Sequence, residues 1–208
     1  MYALAINGSP RKGGNTEIML ETLLQPLADK GWKTEIYQIG NQKIRGCMAC
    51  MKCWEKKDLK CAISNDIFND LFEKMVQADA LIIGSPTYFA DVSTETKALL
   101  DRSGFVALAN DYKFAGKIGA AVVALRRVGG IHVFDTINHM FLMSRMIVPG
   151  STYWNLGHGL HPGDVREESP EQIVNLKNLG KTIAWLGETM KANMESFPEA
   201  DELFSEGA

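Results

Sequence analysis

The sequence has no apolar run fit to cross a membrane. Its longest uncharged stretch, 146–163, is interrupted by Pro149, Pro162 and several glycines. It has no basic excess either: 22 Lys and Arg stand against 25 Asp and Glu, a net charge of −3, which argues against a dedicated nucleic-acid binder. The start, MYALAINGSP, carries no basic leader and reads directly as a strand, so the expected compartment is the cytoplasm. There is no Gly-x-Ser-x-Gly elbow and no nucleophile–base pair, which excludes the common hydrolytic designs. Histidine is sparse at four residues. His158 and His161 lie in a glycine-rich loop without a carboxylate cluster, and His132 and His139 fall on a helix as packing or surface residues. No general acid or base is identifiable, so the catalytic residues stay unknown.

Cysteine is equally scarce, but its four residues all lie between Cys47 and Cys61. Core cysteines would be scattered. Clustering in a reducing compartment points to metal or redox chemistry rather than a disulfide framework.

What the sequence does contain is alternation. Short apolar runs at 2–7, 33–39, 79–84 and 117–125, with a fifth expected within 146–154, are separated by helical patterns at 16–30, 65–77, 130–145 and 171–191. A further helix is expected after the N-cap Ser93, reaching about Ser103. Strands alternating with helices give an α/β fold of three layers, a five-stranded parallel sheet of order 2-1-3-4-5 with helices on both faces. The stretch 40–62 has no periodicity and is an insertion after strand 2. Residues 193–208 carry five acidic and no basic residues and read as a solvated tail, leaving 1–192 as one domain.

In such sheets ligands bind beyond the carboxyl ends of the strands. The first of these ends reads NGSPRKGGNT and opens a helix. Amides at a helix N-terminus, including that of Gly14, form an anion site; Ser9, Asn15 and Thr16 add donors, and Arg11 or Lys12 adds charge. The lysine of a P-loop and the dinucleotide fingerprint G-x-G-x-x-G are both missing, so a single phosphate fits better than a triphosphate or a dinucleotide. The second end offers Pro86, Thr87, Tyr88 and Phe89, a combination suited to a planar, partly polar ring. The third offers Arg126, Arg127, Gly129 and Gly130. Three loops at one sheet edge can share one ligand, a phosphate joined to a flat ring, and FMN fits that description.

Cys47, Cys50, Cys53 and Cys61 form C-x2-C-x2-C-x7-C. Three thiolates at this interval can cover three corners of a cubane, the spacing logic of [4Fe–4S] ligation. Zinc sites use separated C-x2-C pairs or histidines, which this sequence lacks, although zinc and metal-free thiols stay open. Six basic residues (Lys43, Arg45, Lys52, Lys56, Lys57, Lys60) and two acidic ones surround the cysteines, making a basic rim that suits an anionic cluster or an acidic electron carrier.

GSPRKGGNT, GCMACMKC, GSPTYF and RRVGG together resemble the NADPH-dependent FMN reductase family of the flavodoxin-like superfamily, and the compact cysteine motif resembles its iron–sulfur flavoproteins. The resemblance runs from Tyr2 to about Gly150. It implies an FMN-dependent oxidoreductase, with FMN held by the three loops and a [4Fe–4S] cluster on the four cysteines near a subunit interface. It also implies a homodimer or homotetramer with ferredoxin or NAD(P)H as electron donor. A cluster-free NAD(P)H-dependent FMN or quinone reductase, a non-enzymatic electron carrier and a zinc-stapled module are the competing readings.

Overall fold

The computed structural model describes residues 1–199. Its five strands are β1 (Tyr2–Asn7), β2 (Lys33–Gln38), β3 (Ala80–Pro86), β4 (Ile118–Leu125) and β5 (Leu156–His158). All pair in parallel, in the order β2-β1-β3-β4-β5. The helices are α1 (Asn15–Asp29), α2 (Lys52–Lys56), α3 (Phe68–Gln77), α4 (Thr94–Ala109), α5 (Gly130–Met143), α6 (Asp164–Glu168) and α7 (Pro170–Lys191).

The period-2 alternation of strand side chains divides the core in two. Leu4, Ile6, Leu81, Ile83 and Val123 face Phe72, Met75, Leu99, Ile137 and Phe141 of α3, α4 and α5. Ala3, Ala5, Ile82 and Val122 face Leu20, Leu23, Leu179 and Ile183 of α1 and α7. Small sheet residues on this second side let α1 and α7 pack closely. A Cβ at Gly180 would lie 2.3 Å from the Leu23 carbonyl oxygen. The expected three-layer architecture and strand order are therefore present, with the cysteine-rich segment after β2.

The fifth strand is displaced from its expected place within 146–154. Ile147 makes one bridge to Ile118, and the chain then leaves the sheet at Pro149-Gly150. Asn175 of α7 holds the detour, its Oδ1 accepting from Thr152 Oγ1 and the Tyr153 amide, both at 2.8 Å. Pairing resumes where Val123 N donates to Asn155 O at 2.9 Å, immediately before β5. The apolar Met146-Ile147-Val148 run marks the edge correctly, but proline ends its ladder. Helix α4 also runs six residues past Ser103. Its Gly104 faces Met140 of α5 rather than stopping the helix. Ser93 is its N-cap, accepting from Thr96 N at 3.4 Å.

Of the expected acidic tail, 200–208 lie outside the described residues. Met194–Ser196 form one turn of 3-10 helix, and Arg145 Nη2 donates to Pro198 O at 2.8 Å, tying this segment to the end of α5. Among the described residues no helix is long and apolar enough to cross a membrane.

Candidate functional site

The carboxyl ends of β1, β3, β4 and β5 border one open cleft of about 170 Å³. Ser9, Arg11, Asn15, Thr16, Pro86, Thr87, Tyr88 and Arg126 line it, so the three loops expected from sequence converge. Lys12, Gly14, Phe89, Gly129 and Gly130 do not line it. Gly14 caps α1 and Gly129, at φ +90°, caps α5. A Cβ at Gly129 would sit 3.2 Å from Ala90 and 3.5 Å from Thr87 Cγ2, so its role is to let the second and third loops touch. Lys12 is exposed on the turn. Phe89 and Ala90 both have positive φ at the tip of a tight reversal closed by Tyr88 and Asp91, whose amides and carbonyls pair at 2.8 and 3.1 Å. That turn throws the Phe89 ring fully into solvent.

The first loop is held from behind by a polar lattice. Asn7 Oδ1 accepts from Ser9 N at 3.0 Å, and Asn7 Nδ2 donates to Gln38 Oε1 at 2.8 Å. Gln38 Nε2 in turn donates to Ser9 O. Gly40 backs the same turn; a Cβ there would lie 2.2 Å from Ser9 O and 2.5 Å from Pro10 N. The Thr16 methyl packs on Gly84, where a Cβ would come within 2.9 Å of it. That contact orients the Thr16 side chain, while the first-turn amides of α1 are orphaned by helix geometry. Glu17 Oε2 already accepts the Gly13 amide at 2.7 Å, so any anion site is centred on the helix's first turn rather than on Gly13.

A fourth loop, after β5, was not anticipated. Gly159 and Leu160 line the cleft, and Arg11 Nη1 donates to Leu160 O at 2.9 Å. Asn15 Oδ1 accepts from Gly163 N at 3.0 Å, so this side chain joins α1 to that loop instead of being wholly available to a ligand. One polar atom in the cleft is left over. Thr87 Oγ1 is buried and has no hydrogen-bond partner among the described residues. A buried hydroxyl without a partner costs about 1–3 kcal/mol, so its place is suited to a polar ligand atom. A cleft with one orphan hydroxyl, a helix N-terminus and the exposed Tyr88 ring offers polar partners for an anion and a flat face for a ring.

The four cysteines line a second cavity, small and apolar, bounded by the loop itself and by Arg102, Phe105 and Val106 of α4. Ala49, Met51, Lys57 and Leu59 all have positive φ, which folds the 47–61 segment into tight reversals. The Ala49 amide donates to Cys47 Sγ at 3.3 Å. Burial pushes the Cys53 thiol above its usual range, opposed by hydrogen bonds from the amides of Trp54 and Cys53. The distant fourth cysteine is fixed by α3: Asn69 Oδ1 accepts from Cys61 N at 2.9 Å and Asn69 Nδ2 donates to Cys61 O at 3.0 Å. Among the described residues no three His, Cys, Asp or Glu side chains converge as a single-ion site. All six basic residues of the segment are exposed.

A salt bridge closes this segment. Asp66 Oδ2 meets Arg102 Nη1 at 2.6 Å, with both side chains wholly buried. Asp66 also accepts from the amides of Arg45 at 2.9 Å and Phe68 at 3.2 Å. Arg102 donates to Arg45 O at 3.2 Å and to Ile63 O at 2.9 Å. Residues just before Cys47 and just after Cys61 are thus pinned to one guanidinium. Burial alone would raise the Asp66 carboxyl, but Arg102 and the two amides outweigh it and hold it below the ordinary range. Neither residue was singled out from sequence. The available signal was an arginine on the face of α4 that carries Leu99 and Val106.

Comparison with known proteins places this geometry in a family. The family model of the NADPH-dependent FMN reductases matches residues 1–161. An iron–sulfur flavoprotein of Methanocaldococcus jannaschii is 34% identical over 191 residues, covering 88% of this chain and 96% of the relative. One from Archaeoglobus fulgidus is 33% identical over 207 residues, covering 94% and 100%. Among solved structures, RosB with bound 8-demethyl-8-formylriboflavin-5′-phosphate superposes with a TM-score of 0.73 at 16% identity, over 100% of this chain and 91% of that one. The chain belongs to the NADPH-dependent FMN reductase family and is an FMN-dependent oxidoreductase.

Proposed function

We propose that this FMN-dependent oxidoreductase is of iron–sulfur flavoprotein type, moving electrons between an external donor or acceptor, FMN in the four-loop cleft and a [4Fe–4S] cluster on Cys47, Cys50, Cys53 and Cys61. The observation that carries the proposal is that all four thiols border one cavity, and their C-x2-C-x2-C-x7-C order in the sequence follows the spacing logic of [4Fe–4S] ligation. The family match and the iron–sulfur flavoprotein relatives support it. Bound FMN supplies hydride and single-electron chemistry, and a [4Fe–4S] centre single-electron transfer.

The chain's own residues bind and orient. The Ser9 hydroxyl already accepts from the Arg11 amide at 3.2 Å and keeps its proton for a phosphate oxygen. Thr16 and the orphaned first-turn amides of α1 complete that site, with Arg11 or Lys12 adding charge. Thr87 Oγ1 donates to, or accepts from, a polar atom of the ring system, and Pro86 and Tyr88 supply flat apolar contact. Around the cysteines, inward amides such as that of Ala49 stabilise thiolate charge. The exposed lysines on the rim suit an acidic carrier protein such as ferredoxin, while NAD(P)H is the donor suggested by the family. Exposed Phe105, Leu142 and Met143 on α4 and α5 support a homodimer or homotetramer, and clustered cysteines suited to metal or redox chemistry fit the cytoplasm.

The double substitution Ser9→Ala/Thr16→Ala removes two charge-assisted hydrogen bonds of about 1.5–3 kcal/mol each. FMN affinity, followed by flavin fluorescence quenching, is expected to fall roughly a hundredfold or more. Unchanged affinity would move the phosphate elsewhere.

A further inference from the structure

Arg102 is about 1% exposed, and its guanidinium is only partly used. Nη1 serves Asp66 and Arg45 O, and Nη2 serves Ile63 O. Its Cζ lies 4.0 Å from the centre of the Phe68 ring. Nε, however, is buried with no hydrogen-bond partner among the described residues. A charged N–H left without an acceptor in a dry interior is expensive, and arginine's rigid fork means Nε cannot be re-aimed while both terminal nitrogens are held. The same side chain lines the cysteine cavity, whose remaining walls are thiols, methyls and rings. Among the side chains that line this cavity, the only acceptor atoms are the sulfurs of its cysteines and methionines.

We propose that Arg102 is a positioning and tuning residue for the centre in this cavity, its Nε–H donating a hydrogen bond to a sulfur there while its other nitrogens clasp the two ends of the cysteine segment. The proposal rests on the cluster reading above. It gives Arg102 a duty beyond holding the loop. A hydrogen bond and a positive charge both favour the more negative, reduced form, so the donor raises the reduction potential. The clasp explains why the donor is immobile: moving it would break Asp66, Arg45 and Ile63 contacts together.

The test uses the whole protein, purified without oxygen and labelled with arginine carrying ¹⁵N only in the guanidinium. It is made in an Arg45→Lys background, which removes the guanidinium nearest the cysteines in sequence. Pulsed EPR of the reduced cluster is expected to show a ¹⁵N coupling from arginine. A cluster-bearing protein without that coupling overturns the inference, even if Arg102 variants lose iron, because a clasp alone would explain the loss. Arg102→Lys keeps the charge and loses Nε. Its cluster should be about tenfold harder to reduce, a midpoint about 59 mV more negative for a one-electron couple, with the flavin midpoint unmoved. Full iron with an unshifted cluster midpoint contradicts the inference. If the parent protein takes up no cluster at all, the underlying reading falls, and this one with it.

Discussion

Cys50→Ala is expected to lose all cluster iron and labile sulfide while FMN stays bound at its parental affinity. Cys50 is the middle of three thiols at two-residue intervals, and no other cysteine exists to replace it. Among the described residues the neighbouring walls of the cavity offer only apolar groups and a cation. The cleft is bordered by other loops, from the ends of β1, β3, β4 and β5, and shares no lining residue with the cysteine cavity. Anaerobic reconstitution followed by iron, sulfide and flavin determination separates the two sites. Stoichiometric iron in the variant would contradict the ligand set; loss of flavin would show that the two sites are not independent.

Asp66→Ala is expected to be the most destabilising single change near the site. It leaves the buried Arg102 guanidinium without its counter-ion and frees the amides of Arg45 and Phe68. Removing one partner of a buried pair costs about 3–5 kcal/mol. For a chain of this size that lowers the melting temperature by roughly 10 °C. The native protein should show the matching pH dependence. Asp66 is held below its unfolded value, so its stabilisation is complete above the ordinary carboxylate pKa of about 3.9 and is lost as pH falls through the depressed folded value. Thermal unfolding followed across pH 2–6 should show this acid-side loss in the parent and a reduced one in the variant. An unchanged melting temperature for Asp66→Ala would mean that the bridge does not hold the segment.

Continuous apolar runs such as ALIIG are legible in the sequence because a strand buried on both faces needs them, and order 2-1-3-4-5 follows from alternation with helices. The edge strand was placed too early because Met146-Ile147-Val148 has the composition of a strand. What decides its pairing is Pro149 and the tertiary anchor Asn175, and periodicity carries no trace of that anchor. The converging loops were legible because parallel sheets put all strand ends on one edge. The fourth loop was not, since its strand has only three residues. Asn15 shows the limit for single side chains: a residue type suited to a phosphate instead spends its oxygen bridging to Gly163. Asp66 and Arg102 lie 36 positions apart, and only the fold reveals that they are partners. The grouping of the cysteines needed no fold to be read, and the fold brings all four to one cavity.

The central claim is that one chain carries both a flavin cleft and a cysteine-held cluster. Protein purified under strict exclusion of oxygen, then measured by visible spectroscopy with flavin, iron and sulfide determination, tests it most directly. The expected result is a yellow-brown protein holding about one FMN and about four iron and four sulfide per chain, bleached in both absorption regions on reduction. Flavin with no iron after reconstitution would leave a cluster-free reductase, zinc in place of iron would make the cysteines a structural staple, and a colourless protein that takes up neither chromophore would contradict the account entirely.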